Sequence, residues 1–312
     1  VKHKPVDTGK GSAMAANTIG FIGLGKMGQP MARRLMAAGY TLALYDANQD
    51  AVAVLSGQPG GQHAILCATP AEVATQAGII ITMLPTSGVL EAVLTGVDGV
   101  FAALRAGAII IDMGSGTPAI TQTLARTAHA HGGHLVDAPV SGGVPRAVTG
   151  ELAIMFGGSQ TLLARVEPVL RTMGASVTRT GKVGTAHAMK ALNNLVSAGG
   201  FLIGVEAILM GKRFGLDAGV MVDILNASTG MNNSTQKKFK QFVLSGGYDS
   251  GFGLALMVKD LGIALGLDTT HSALFSQHCL AIWHAGAQAL EPEADHTALA
   301  RHVSDYCGVP WS

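Results

Sequence analysis

Charge is scarce in this chain: Asp, Glu, Lys and Arg make up 13% of its 312 residues, against 48% apolar. So little charge to cover a surface implies apolar faces hidden between subunits. What charge there is balances, with 21 Lys and Arg against 20 Asp and Glu, and no basic run is long enough to track a phosphate backbone. Nucleic acid is therefore not an expected partner. Cysteine is rarer still: Cys67, Cys279 and Cys307 are odd in number, widely spaced and outside any CxxC or His pairing. That pattern argues against a disulfide framework and a zinc site, and it fits a reducing cytoplasmic setting. No stretch near the start has a signal-peptide layout, and Gly, Ser or Lys interrupts the apolar runs before eighteen residues, so no membrane association is expected. Internal repeats and low-complexity segments are also lacking. Residues 1–15 are polar and aperiodic and are expected to be a tag or disordered tail, with Met14 as the native start.

What is present is a regular alternation. Short β-rich runs at Thr18–Ile22, Thr41–Tyr45, Gly78–Met83, Ala108–Asp112, His134–Asp137, Leu152–Phe156 and Ser176–Arg179 are separated by helical patterns. Strands linked through helices imply right-handed crossovers and a mainly parallel sheet. Thr69-Pro70-Ala71-Glu72 has a cap, a proline at the first helical position and the Glu of a capping box, and Thr117-Pro118 repeats the first two signals. After Gly184 the strand signal ends. Ala186–Phe214 reads as one long helix with apolar residues on nearly every face, which predicts burial on all sides by the second domain and a partner subunit. Helical patterns at 218–226, 233–244, 254–266, 271–290 and 297–304 make that domain all-α. The expected fold is an α/β Rossmann N-terminal domain, residues 17–182, joined by a long helix to an all-α C-terminal domain, residues 183–312.

The first strand runs into Gly23-Leu24-Gly25-Lys26-Met27-Gly28 and then an amphipathic helix. Glycines so spaced between strand and helix permit a tight turn, backbone approach to a pyrophosphate and close helix packing. Asp46 ends the next strand, eighteen positions after Gly28. A carboxylate there accepts hydrogen bonds from both ribose hydroxyls and repels a 2′-phosphate, so NAD is favoured over NADP. The alternative role for Asp46 is to cap the following turn. Met83-Leu84-Pro85-Thr86 and Asp112-Met113-Gly114-Ser115 end two further strands, where an open parallel sheet places ligands; each is either a cofactor contact or an ordinary turn.

Asp137-Ala138-Pro139-Val140-Ser141-Gly142-Gly143 supplies a hydroxyl and bare backbone N–H groups suited to a carboxylate, although taken alone it reads equally as a flexible linker loop. Lys190 and Asn194, four apart, share one helical face in a segment with almost no other charge. Burial would lower the lysine's pKa and make it a general acid/base, whereas a structural lysine would snorkel to water. His187 reads as a packed or surface residue, and no metal-ligand set is present. Lys259 stands in an apolar helix, either paired with Asp260 or reaching the cofactor.

These blocks, GFIGLGKMGQPMA, MLP, DMGSGTP, DAPVSGG, GTAHAMKALNN and LMVKDLGIAL, in this order over residues 18–305, resemble the β-hydroxyacid dehydrogenase family. The resemblance implies NAD bound by Gly23, Gly25, Lys26, Met27, Gly28 and Asp46, with Leu84, Pro85 and Ser115 beside the nicotinamide and Lys259 at the cofactor region. It implies Ser141, Gly142 and Gly143 on the substrate carboxylate, Lys190 as acid/base and Asn194 orienting substrate. The expected activity is reversible oxidation of a small 3-hydroxy acid by a homodimer or homotetramer. The alternatives are a tartronate semialdehyde or glyoxylate-type reductase, an imine reductase, and a non-catalytic interaction protein. Two departures bear on specificity: Gly114 replaces a common Ser, and Met231 stands where 3-hydroxyisobutyrate enzymes often have Arg.

Overall fold

The computed structural model describes residues 17–57 and 64–311, so the expected tail at 1–15 lies outside the described residues. The chain divides into two compact units, one ending at Met189 and the other starting at Lys190.

The first unit is built on a sheet with strands β1 (Thr18–Ile22), β2 (Thr41–Tyr45), β3 (Ala64–Leu66), β4 (Ile79–Thr82), β5 (Ile109–Asp112), β6 (His134–Asp137), β7 (Val140–Ser141), β8 (Leu152–Gly157) and β9 (Gly174–Gly181). Their spatial order is β3-β2-β1-β4-β5-β6-β8-β7, with β9 on β8. Pairings from β3 to β6 are parallel, β8 runs antiparallel to β6 and β7, and β9 is parallel to β8. Ile81, Ile109 and Ile111 pack into a core with Met31 and Leu35 on one face, while Ile80 and Ile110 pack with Val73, Leu90 and Leu124 on the other. Burial on both faces explains the unbroken Ile-Ile-Ile runs of β4 and β5.

The intervening helices are α1 (Gly28–Ala37), α2 (Gln49–Ser56), α3 (Pro70–Gln76), α4 (Ser87–Thr95), α5 (Pro118–Ala130), α6 (Gly143–Thr149) and α7 (Gln160–Leu170). At α3 the Thr69 hydroxyl accepts from the Glu72 N–H, and the Glu72 carboxylate accepts from Ala68 N–H, one residue before the cap. At α5, Thr117 and Pro118 take the cap and first helical positions as expected, but the Thr117 side chain makes no capping bond and its N–H donates to Ser87 Oγ at 2.8 Å.

Helix α8 (Thr185–Phe214) starts in the first unit and continues into the second. There it is followed by α9 (Ala218–Asn226), α10 (Asn233–Lys237), a π turn at Phe239–Val243, α11 (Leu254–Leu265), α12 (Leu274–Ala289) and α13 (Leu299–Cys307). Ala198, Phe201, Leu202, Val205, Ile208 and Leu209 of α8 form the core with Phe239, Leu261, Trp283 and Leu299. Within one chain, α8 is buried on only part of its surface. Val196, Ile203, Met210 and Phe214 are exposed, up to 86% for Phe214, and their spacing of seven, seven and four puts them on one stripe. By length and composition alone α8 could also cross a membrane, and half of its most apolar window is buried inside the chain. All three cysteines are free thiols.

Candidate active site

In the first unit the glycine turn joins β1 to α1. A side chain at Gly28 would collide with the carbonyl of Gly23, so only glycine lets the helix start this close to the strand end. Gly25 is the opposite case, exposed with nothing near the position of an added Cβ. The first turn of α1 has no side-chain cap and no acidic residue. Pro30 has no N–H and Gln29 N–H bonds the Gly25 carbonyl, so what the helix start offers an external anion is the positive end of its dipole, which fits a dinucleotide pyrophosphate.

Asp46, at the end of β2, comes to this turn: Oδ2 accepts from Leu24 N–H at 2.6 Å and Oδ1 from Asn48 N–H at 2.8 Å. It therefore does cap the local turn, and each oxygen keeps a further lone pair for a ribose hydroxyl. An open apolar hollow lined by Tyr45, Pro70, Val89, Ala92 and Val93 adjoins the same strand end. Lys26 is exposed and Met27 half-buried in the turn itself.

The loops after β4 and β5 lie against each other. Thr82 Oγ1 donates to Asp112 Oδ1 at 3.0 Å, and Gly114 N–H donates to the same oxygen at 3.2 Å. A Cβ on Gly114 would lie 2.5 Å from the Leu84 carbonyl oxygen, so this glycine is what allows the approach of the segments carrying Leu84, Pro85 and Ser115. Below them His187 is buried, with Nδ1 2.8 Å from Thr121 Oγ1 and Nε2 3.5 Å from Asp112 Oδ2. Burial raises the Asp112 pKa, opposed by His187 and the bond from Thr82. His187 is a packed residue, as one of its two readings had it.

Asp137 has a role the sequence did not suggest. It is fully buried at the end of β6, and its carboxylate accepts from the N–H groups of Gly184, Ala186 and His187, fixing the start of α8. Ser141 ends β7, and Gly142 and Gly143, at φ 134° and 66°, turn the chain into α6 with no side-chain cap.

In the second unit a hydrogen-bonded chain links Lys190, Asn194, Asp260 and Lys259. Lys190 Nζ donates to Asn194 Oδ1 at 3.3 Å, Asn194 Nδ2 donates to Asp260 Oδ2 at 2.6 Å, and Lys259 Nζ lies 3.3 Å from Asp260 Oδ1. Lys259 thus makes the ion pair that was one of its two expected roles. Asp260 orients the Asn194 amide so that its oxygen faces Lys190, which sequence reasoning missed; the signal was a buried-type carboxylate beside a lysine in an apolar helix. Burial lowers the Lys190 pKa, with Asp260 opposing and Lys259 reinforcing the shift. Its direct partner is a neutral amide, so proton exchange costs no broken ion pair. No group of three or more metal-ligating side chains occurs among the described residues.

A doubly wound sheet whose first turn is shaped for a pyrophosphate, followed by a helical unit carrying a lysine of lowered pKa, defines an NAD(P)-dependent oxidoreductase. A family model described as the NAD binding domain of 6-phosphogluconate dehydrogenase matches residues 18–181. A second, described as the NAD-binding of NADP-dependent 3-hydroxyisobutyrate dehydrogenase, matches residues 184–303. The chain is 38% identical over 247 residues to 2-(hydroxymethyl)glutarate dehydrogenase of Eubacterium barkeri, spanning 79% of this chain and 81% of that one. It is 38% identical over 260 residues to mitochondrial 3-hydroxyisobutyrate dehydrogenase of Homo sapiens, spanning 81% and 76%. The solved structure of Mycobacterium tuberculosis 3-hydroxyisobutyrate dehydrogenase with L-serine superposes with a TM-score of 0.83 at 30% identity, over 92% of this chain and 99% of that one. The chain belongs to the β-hydroxyacid dehydrogenase family, and its Rossmann and helical domains are those of that family.

Proposed function

We propose that this dehydrogenase oxidises a small 3-hydroxy acid of the 3-hydroxyisobutyrate type, reversibly, with NAD as the preferred cofactor and Lys190 as the acid/base. The observation that carries the reading is the state of Lys190: a lysine whose pKa burial lowers, bonded to a neutral amide that Asp260 holds in one orientation. Relatives named for 3-hydroxyisobutyrate and 2-(hydroxymethyl)glutarate support the substrate class.

When bound, the nicotinamide supplies the hydride acceptor in oxidation and the donor in reduction. Neutral Lys190 takes the hydroxyl proton during oxidation; protonated, it returns that proton to the carbonyl oxygen in reduction. Asn194 orients the reacting end. Ser141 and the N–H groups of Gly142 and Gly143 hold the carboxylate, Leu84, Pro85 and Ser115 border the nicotinamide, and Lys259 serves the cofactor region through its pair with Asp260. Asp46 supports NAD over NADP because its carboxylate stands at the turn where a 2′-phosphate would add negative charge. The apolar stripe of Val196, Ile203, Met210 and Phe214 supports a homodimer or homotetramer covering it, which sedimentation at micromolar concentration reads directly.

Lys190→Met tests the proposal. Methionine keeps much of the alkyl packing and removes the proton carrier, so kcat/KM for the best hydroxy acid should fall by at least about 100-fold while cofactor affinity persists. Near wild-type turnover with normal cofactor binding would refute the assignment.

A further inference from the structure

The stripe of α8 that begins with Lys190 and Asn194 continues, at the same helical spacing, to Ser197 and Phe201. A second amine meets it there. Lys238, the residue after α10, places Nζ 3.1 Å from Ser197 Oγ and 5.8 Å from the centroid of the Phe201 ring. Its position is fixed from both sides. Before it, Asn232 and Thr235 form a reciprocal capping box, and Asn232 Nδ2 donates to the Gly200 carbonyl. After it, Phe239 is buried and stacked on Phe201 with centroids 5.4 Å apart.

Lys238 is half-buried, yet among the described residues no carboxylate forms an ion pair with it. Asp295 is the carboxylate that acts on it electrostatically, but the oxygens of Asp295 already accept from Ser250, Gly251, Phe252 and Thr297. An ammonium has three donors, and the Ser197 hydroxyl takes one. Burial draws the pKa down to about 8, against Asp295, so the group remains largely a cation at neutral pH. A lysine placed for structure alone would pair or snorkel to water. This one is held by its flanking residues with donors to spare, beside Ser197, which lies seven residues and about 10 Å of axial rise along α8 from Lys190.

We propose that Lys238 is a specificity-determining residue that receives a second carboxylate, a few carbon–carbon bonds from the reacting hydroxyl, so that the chain prefers hydroxy dicarboxylates to short monocarboxylates. This rests on the dehydrogenase reading for the place of the reacting hydroxyl at Lys190. Between the two amines the stripe offers only Asn194 and Ser197 as polar contacts, so a longer substrate with its hydroxyl at Lys190 meets a cation at its far end. A monocarboxylate of isobutyrate size has no group to place there.

The test uses unreactive probes on the intact enzyme saturated with NAD. Calorimetry compares 2-methylglutarate with 2-methylpentanoate, which matches its length but ends in a methyl group; neither has a hydroxyl to oxidise. The wild type should bind the dicarboxylate at least about tenfold more tightly, the scale of one charge-assisted contact. Lys238→Met should bring the ratio close to one, and Lys238→Arg should retain most of it. Should Lys238→Met fail to fold, Lys238→Gln carries the same comparison. Equal affinities in the wild type, or a preference that survives removal of the amine, would overturn the inference, whatever the turnover. A Lys238-dependent preference in a protein that oxidises no hydroxy acid would instead uphold the subsite and overturn the proposed reaction.

Discussion

Asp137 Oδ2 accepts the backbone N–H of His187 at 2.9 Å, and through this and two sister bonds a fully buried carboxylate serves as the cap of the longest helix in the protein. A side chain from the end of a central strand satisfies N–H groups that every helix start leaves open. The negative charge also lies at the positive end of the helix dipole, where it needs no separate cation.

Asp137→Asn follows directly. The amide offers one acceptor oxygen in place of two and turns an NH2 toward backbone donors, so at least one buried N–H loses its partner. Stability should fall by about 2–4 kcal/mol, since bonds to a charged acceptor and the cost of an orphaned donor both count. Urea unfolding measures it. A loss within the error of the midpoint would mean that water or a rearranged loop replaces the carboxylate.

How much of this was legible beforehand depends on how local the cause is. Strands β1, β2 and β6 carry their own apolar signal, which predicts their observed ends. The three-residue β3 and two-residue β7 carry none, because so short a run has no periodicity and gains its pairing only from β2 and β8. Four glycines inside α8 do not break it; at Gly204 the Phe239 ring packs where a Cβ would be, so tertiary contact recovers what helix propensity loses. The glycine turn, Asp46, Lys190 and Asn194 stood out as motifs. Asp137, Asp260 and the pairing of Asp112 with His187 did not, because their partners are 47, 66 and 75 positions away in the chain, and only folding brings them into reach.

Asp46→Ser should weaken discrimination against NADP. The carboxylate both faces the turn and bonds Leu24 and Asn48, so the variant removes repulsion and loosens the loop together. The ratio of kcat/KM for NAD over NADP should drop by at least about tenfold, and adding Ala47→Arg should lower it further by giving a 2′-phosphate a partner. If the wild type prefers NADP, or the ratio does not move, the role given to Asp46 is wrong.

Gly114→Ser adds a hydroxyl to the loop after β5 and should do harm here. Its Cβ would lie 2.5 Å from the Leu84 carbonyl oxygen, and only backbone movement of the loops after β4 and β5 can relieve that contact. We expect a loss of about 1–3 kcal/mol in stability together with a raised KM for NAD, because the displaced loop carries Leu84 and Pro85. Thermal unfolding and cofactor titration read the two effects separately. A variant as stable as wild type with unchanged cofactor affinity would show that the loops part freely.

The last prediction concerns pH and isolates Asp260. Burial lowers the Lys190 pKa, and Asp260 works against that shift by favouring the charged amine. Oxidation needs neutral Lys190, so kcat/KM should rise with pH through a kinetic pKa below that of an ordinary lysine. Asp260→Asn removes the opposing charge while an amide oxygen can still accept from Asn194, so burial and Lys259 act unopposed and the rising limb must move to lower pH. For reduction the sign reverses in consequence: protonated Lys190 is required, and activity should be lost at a lower pH in the variant than in the wild type. A purely structural Asp260 would instead lower the plateau and leave the limb in place. Measuring kcat/KM in both directions across pH, with cofactor saturating, separates these outcomes. A limb that stays put, or moves upward, would show that the carboxylate does not govern the proton on Lys190.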